Sequence, residues 1–156
     1  MACWSAENAT NAYLRTMRMG KNAKEPNGAE FISALAAGNN ARFTVVACGG
    51  ASDSTTLALA TAAQQTGGRA NANNVEFVIG DAKDLLLNIY KDSDFVAIDC
   101  NLENHEAIIS ALQEKAKHNQ NNNNNTIVLG YNAFCKESWR NSALKTQLCR
   151  LGKVCC

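Results

Sequence analysis

An α/β fold with a mainly parallel, Rossmann-like sheet is the architecture this chain predicts, and three observations predict it. Residues 43–63 read FTVVACGGASDSTTLALATAA: a β-branched apolar run, two glycines, then a run of Ala, Leu and Thr. Two later runs, DFVAID at 94–99 and TIVLGY at 126–131, read as further buried strands. The stretches between them carry helical spacing, and strands alternating with helices imply parallel pairing through right-handed crossovers. The expectation is a sheet of four or five strands in one domain over 1–156. Within it, 1–42 forms N-terminal helices, 43–135 the core and 136–156 a basic C-terminal segment.

Taken in order, Ser5 can cap a first helix running to about Met19, with Ala6, Ala9, Tyr13 and Met17 on one face. Pro26 suits the first turn of a second helix, which continues over 29–37 with Phe31, Ile32 and Leu35 apolar, and 38–40 (GNN) closes it. Residues 43–48 are the first strand. Gly49 and Gly50 end it, and Asp53 or Ser54 can cap the helix that follows. That helix is built of small residues that let a backbone lie close to a sheet, and it stops at Gly67 and Gly68.

Residues 75–79 (VEFVI) are expected as a second strand, with Gly80, Asp81 and Ala82 as a turn. A short helix over 83–90 should turn Leu85, Leu86 and Ile89 inward. After the 94–99 strand, Asn101 can cap a helix over 103–117 whose buried stripe is Ala107, Ile108, Ala111 and Leu112. The asparagine-rich 119–125 reads as a solvated loop, and 126–131 as a fourth strand.

Composition bounds the function classes. The 156 residues carry a net charge of +1, with 46% apolar and 19% charged residues, which fits a globular chain and points to neither nucleic acid nor membrane. The charge is uneven: 76–114 carries nine acids against two lysines, and 136–156 carries five bases against Glu137. Solvated surface is the expected reading of both. No run approaches the ~18 apolar residues needed to span a bilayer, and the start lacks signal-peptide architecture, so cytoplasm is the expected location, with the nucleus as an alternative. Seven scattered cysteines without CxxC pairs suit a reducing compartment.

The strand–glycine–helix turn at 43–63 is how a doubly wound fold opens a ligand crevice, with backbone N–H groups and a helix N-terminus facing an anionic or polar group. Neither GxGxxG nor GxxxxGK[ST] is present, so the fingerprints of a dinucleotide and of a phosphate-cradling loop are both missing. The segments PNGAEFISALAAGNNARFTVVACGG, VEFVIGDAKDLL, DFVAIDCNLENHEAI and TIVLGYNAF together resemble S-adenosylmethionine-dependent methyltransferases, in particular the small-molecule O-methyltransferase branch. CWSAENAT, LENHEAI and KTQL further resemble a plant family of uncharacterised methyltransferase-like proteins.

The resemblance implies S-adenosylmethionine as cofactor. Gly49, Gly50, Asp53 and Ser54 would lie under its methionine part, Asp81 and Ala82 beside the adenine, and Asp99 at the methyl-transfer crevice. It also exposes departures. Gly68 runs almost directly into Val75, where the family has a further strand and helix, and the chain stops short of the family's last strand pair. The Asp-Asn pair of the metal-dependent branch falls on Gly130 and Tyr131, with Asn132 beyond, and that branch's lysine falls near Leu102 or Glu103. No metal is therefore expected, and no residue is assigned to catalysis. The alternative expectation is a non-catalytic module binding a nucleotide-type ligand or a protein partner.

Single residues have plainer readings too. Asp99 can cap the following turn, and Asp81 can cap the helix after it. His105 invites a general-base role but reads as a solvated histidine in a helix's first turn. Cys48 and Cys100 read as inert thiols, and Trp4 as a packing residue.

Overall fold

The computed structural model of the chain describes residues 4–20, 28–50, 54–68, 75–118 and 126–132. The expectations placed on Pro26, Asp53, 119–125 and 136–156 lie outside the described residues. Two compact units result, the first within Met1–Val45 and Gly50–Ile79, the second within Val46–Gly49 and Gly80–Val154.

Three mutually packed helices, α1 (Ala6–Met19), α2 (Gly28–Gly38) and α3 (Ser54–Gln65), make the first unit. Ser5 caps α1 as expected, its side-chain oxygen accepting the Asn8 N–H at 3.2 Å. The buried stripe of α1 is Ala9, Ala12 and Thr16; Ala6, expected on that face, is exposed. Small side chains let α1 approach α2 closely, and the Thr16 hydroxyl donates to Ser33 Oγ at 2.9 Å in the buried seam. That bond satisfies a polar group that would otherwise be costly to bury.

Helix α2 buries Ala29, Ile32, Ser33, Ala36 and Ala37. Phe31 is 62% exposed and meets Tyr13 edge-on, with ring centroids 5.6 Å apart. The close helix–helix seam selects the small-residue face of α2, which leaves the phenylalanine outside. After α2, Asn40 takes φ 57°, while the Ala41 N–H donates to Ala36 O at 3.0 Å and the Asn40 N–H to Ala37 O at 2.9 Å. This is a left-handed C-terminal cap with asparagine in place of glycine. Trp4 lies over Gly38, where a Cβ would run into the indole ring.

Helix α3 buries Thr55, Ala58, Leu59, Ala62 and Ala63 and packs on α1 and α2. It ends at the expected glycines. Gly67 has φ 74°, and the Gly68 N–H donates to Ala63 O at 2.8 Å.

Residues 75–79 correct the sequence reading most sharply: they are described, and they form no strand. Phe77 is 70% exposed and Ile79 fully exposed. The sheet accordingly has three strands among the described residues rather than four or five: β1 (Thr44–Ala47), β2 (Phe95–Asp99) and β3 (Ile127–Tyr131), in the order β1-β2-β3.

In the second unit, β2 is the central strand, and Phe95, Val96, Ala97 and Ile98 are completely buried, as expected of a parallel strand covered on both faces. It pairs in parallel with β3, Phe95 opposite Ile127 and Asp99 opposite Tyr131. Strand β1, expected to be buried, is half-buried up to Ala47 because it lies at an edge of the sheet.

Helix α4 (Ala82–Asp84) passes at once into a π-helical turn, Leu85–Ile89, closed by the Tyr90 N–H donating to Leu85 O at 2.8 Å. The wider turn rotates the apolar stripe. Leu86 is buried, Leu85 is half-buried, and Ile89, expected to point inward, is exposed. Helix α5 (His105–His118) packs on β2 and on the π turn through Ile108 and Leu112, while Ala107 is exposed. It starts later than the sequence reading had it. The Leu102 N–H donates to Asp99 O at 3.0 Å and the His105 N–H to Leu102 O at 3.3 Å, so a preceding turn takes up residues 101–104. No helix among the described residues is long and apolar enough to cross a membrane.

Candidate functional site at the carboxyl ends of the strands

Parallel pairing puts the carboxyl ends of β2 and β3 side by side, and the pairing runs one step past Asp99: the Cys100 N–H donates to Tyr131 O at 2.9 Å. Beyond that point both chains turn away. Asn132 does so with φ 60°, a left-handed conformation that asparagine tolerates better than most residues. Its side-chain amide donates to Asp99 Oδ1 at 3.0 Å.

The same oxygen accepts the backbone N–H of Asn101 at 2.9 Å. Asp99 is thus held in place by two donors on one oxygen, and no described residue donates to its Oδ2. Held this way, a carboxylate presents an acceptor for an ammonium or hydroxyl group arriving from outside.

Two more groups complete the rim. Gly49, just beyond β1, lies against Leu102: a Cβ there would sit 3.4 Å from Leu102 Cδ2. Leu102 is in turn tied to Asp99 through the backbone bond described above. The glycine turn and the strand-end acid therefore meet across one apolar side chain. His105 places Nδ1 2.6 Å from Leu102 O, so in the tautomer that donates there, Nε2 is an acceptor.

The other expected residues are placed as follows. Asp81 is exposed and caps α4, its Oδ1 accepting the Asp84 N–H at 2.9 Å. Ala82 is the first residue of α4. Gly50 is exposed, and Ser54 is exposed as the first residue of α3. Asp53 lies outside the described residues. Among the described residues, no group of three or more His, Cys, Asp or Glu side chains is placed to hold a metal ion.

Asn132 is the member that sequence reasoning passed over. It was noted only as lying beyond the family's pair position. The signal was present: an acid ending one strand and an amide following the next meet whenever those strands are parallel neighbours in register.

A family model described as "Protein of unknown function (DUF1442)" matches residues 1–150. The chain belongs to the DUF1442 family. The match covers all of the described elements of this DUF1442 chain, the Asp99–Asn132 pair included. Neither a curated protein nor a solved structure matches it.

Proposed function

We propose that this DUF1442 protein is an S-adenosylmethionine-dependent methyltransferase-like protein whose crevice lies outside the carboxyl ends of β1, β2 and β3. The observation that carries the reading is the Asp99–Asn132 hydrogen bond at the ends of two parallel strands. In open α/β sheets this is where ligands bind.

The residues suit the polar end of such a cofactor. The Asp99 carboxylate can accept from an α-ammonium group, and Asn132 has a carbonyl oxygen to offer beside it. Gly49 leaves the approach open, and Leu102 provides an apolar wall. When bound, S-adenosylmethionine supplies an electrophilic methyl group. The protein's own part is to orient, to exclude water and to hold an acceptor close, which by itself lowers a transfer barrier substantially.

A second reading has its own observation. Residues 75–79 are exposed and outside the sheet, and the Asp81 carboxylate is engaged by its own helix. Among the described residues an adenine-side partner is then not offered, which favours a non-catalytic module that takes a smaller polar ligand or a protein.

Calorimetric titration of S-adenosylmethionine and S-adenosylhomocysteine into wild-type protein and an Asp99→Ala variant separates the two. The methyltransferase-like reading expects saturable binding, weakened about tenfold or more in the variant. A cooperatively folded wild type that takes up neither compound leaves only the non-catalytic reading.

A further inference from the structure

Residues 75–79 combine three properties that do not belong together in a finished fold. Their pattern is that of a strand: Val75, Phe77 and Ile79 alternate with Glu76 and Val78, and three of the five residues are β-branched. Their side chains are exposed, Phe77 at 70% and Ile79 fully. Their backbone groups form no hydrogen bond with any described residue. A contiguous apolar stretch of this kind is costly to leave in water.

The chain also holds a place for it. Strand β1 has β2 on one side and, among the described residues, no strand on the other. Residues 48–74, which separate β1 from the segment, contain the twelve-residue helix α3. That is more than the dozen or so residues a parallel crossover requires.

We propose that residues 75–79 dock in parallel along the open edge of β1 as a fourth strand, and that the arrangement described above is the undocked state of a two-state element. Docking turns Val75, Phe77 and Ile79 together to one face of the sheet and Glu76 and Val78 to the other, and satisfies alternate backbone groups of the segment. It also has a consequence for the site. Because the strands are parallel, the residues that follow the segment, Gly80 and Asp81, come to the same end of the sheet as Gly49, which follows β1. Asp81 then stands at the crevice instead of serving only as a helix cap. That consequence rests on the functional reading above; the docking itself does not.

Amide hydrogen exchange by NMR on the ligand-free protein, with the mass followed by light scattering, is the test. In a parallel pair one alternate set of residues faces the neighbour. Docking therefore expects either 75, 77 and 79 or 76 and 78 to exchange at least about tenfold slower than an unstructured chain, in a monomer. Phe77→Asp should abolish that protection while the β2 amides keep theirs. Unprotected exchange at all five amides overturns the proposal. So does protection confined to a dimer, which would make a second copy the partner of the segment.

Discussion

The side chains at the sheet's carboxyl end are positioned by backbone geometry more than by burial. Asp99 is half-exposed, yet the Asn101 N–H and the Asn132 amide fix one of its oxygens from opposite chain directions. Lys115 on α5 shows the reverse situation, a charge shifted by its surroundings. Burial lowers its ammonium from the ordinary 10.5, nearby Asp92 pulls it back up, and Lys91 pushes it down. Its Nζ donates to the Lys91 carbonyl at 3.2 Å. A lowered folded-state value means that folding disfavours the charged form. The resulting cost is fully present below the folded value and is relieved as pH rises from there toward 10.5. Removing the acid should therefore move the titration of Lys115 further down in Asp92→Asn. Replacing the neighbouring cation should move it up in Lys91→Met. NMR titration of the Lys115 ε-methylene reads both, and shifts of the opposite sign would contradict this electrostatic picture.

At the scale of elements, the end of α3 is tightly constrained by backbone. A Cβ on Gly68 would lie 2.5 Å from Arg42 O and 2.9 Å from Ala63 O, both backbone atoms that cannot swing aside. Gly67 has open space around it but a φ of 74°. Gly68→Ala should destabilise by about 1–3 kcal/mol through overpacking, and Gly67→Ala by about 1 kcal/mol through backbone strain. Chemical denaturation of the two variants orders them, and a Gly68→Ala protein as stable as wild type would mean the approach is looser than described.

Both of these glycines were legible in sequence, as were the Ser5 cap and the 94–99 and 126–131 strands, because each rests on local chemistry. The orientation of helices was less legible. Ala6 was grouped on one face with Ala9, Tyr13 and Met17, whereas the buried side of α1 runs through Ala9, Ala12 and Thr16, with the Thr16–Ser33 hydrogen bond in the seam against α2. Ile89 was misplaced because a π turn shifts the period, and nothing in LLLNI announces a π turn.

For the molecule as a whole, the sheet was legible where burial enforces it and not where it depends on a distant neighbour. Strand β2, apolar up to its terminal Asp99 and central, matches its expectation. Residues 75–79 have the composition of a strand, but strand formation needs a paired edge, and no stretch of sequence shows where its partner lies. The candidate site divides in the same way. Asp99 was visible as an acid ending a strand, while Asn132 became a partner only once the register of β2 and β3 brought the two ends together.

The central claim, that a ligand of the S-adenosylmethionine type binds at those strand ends, is tested most directly by titrating S-adenosylhomocysteine into 15N-labelled protein and following amide shifts. The account predicts saturable shifts centred on Gly49, Cys100, Asn101, Leu102 and Asn132. A folded protein whose spectrum does not change, or changes only away from these residues, would contradict it.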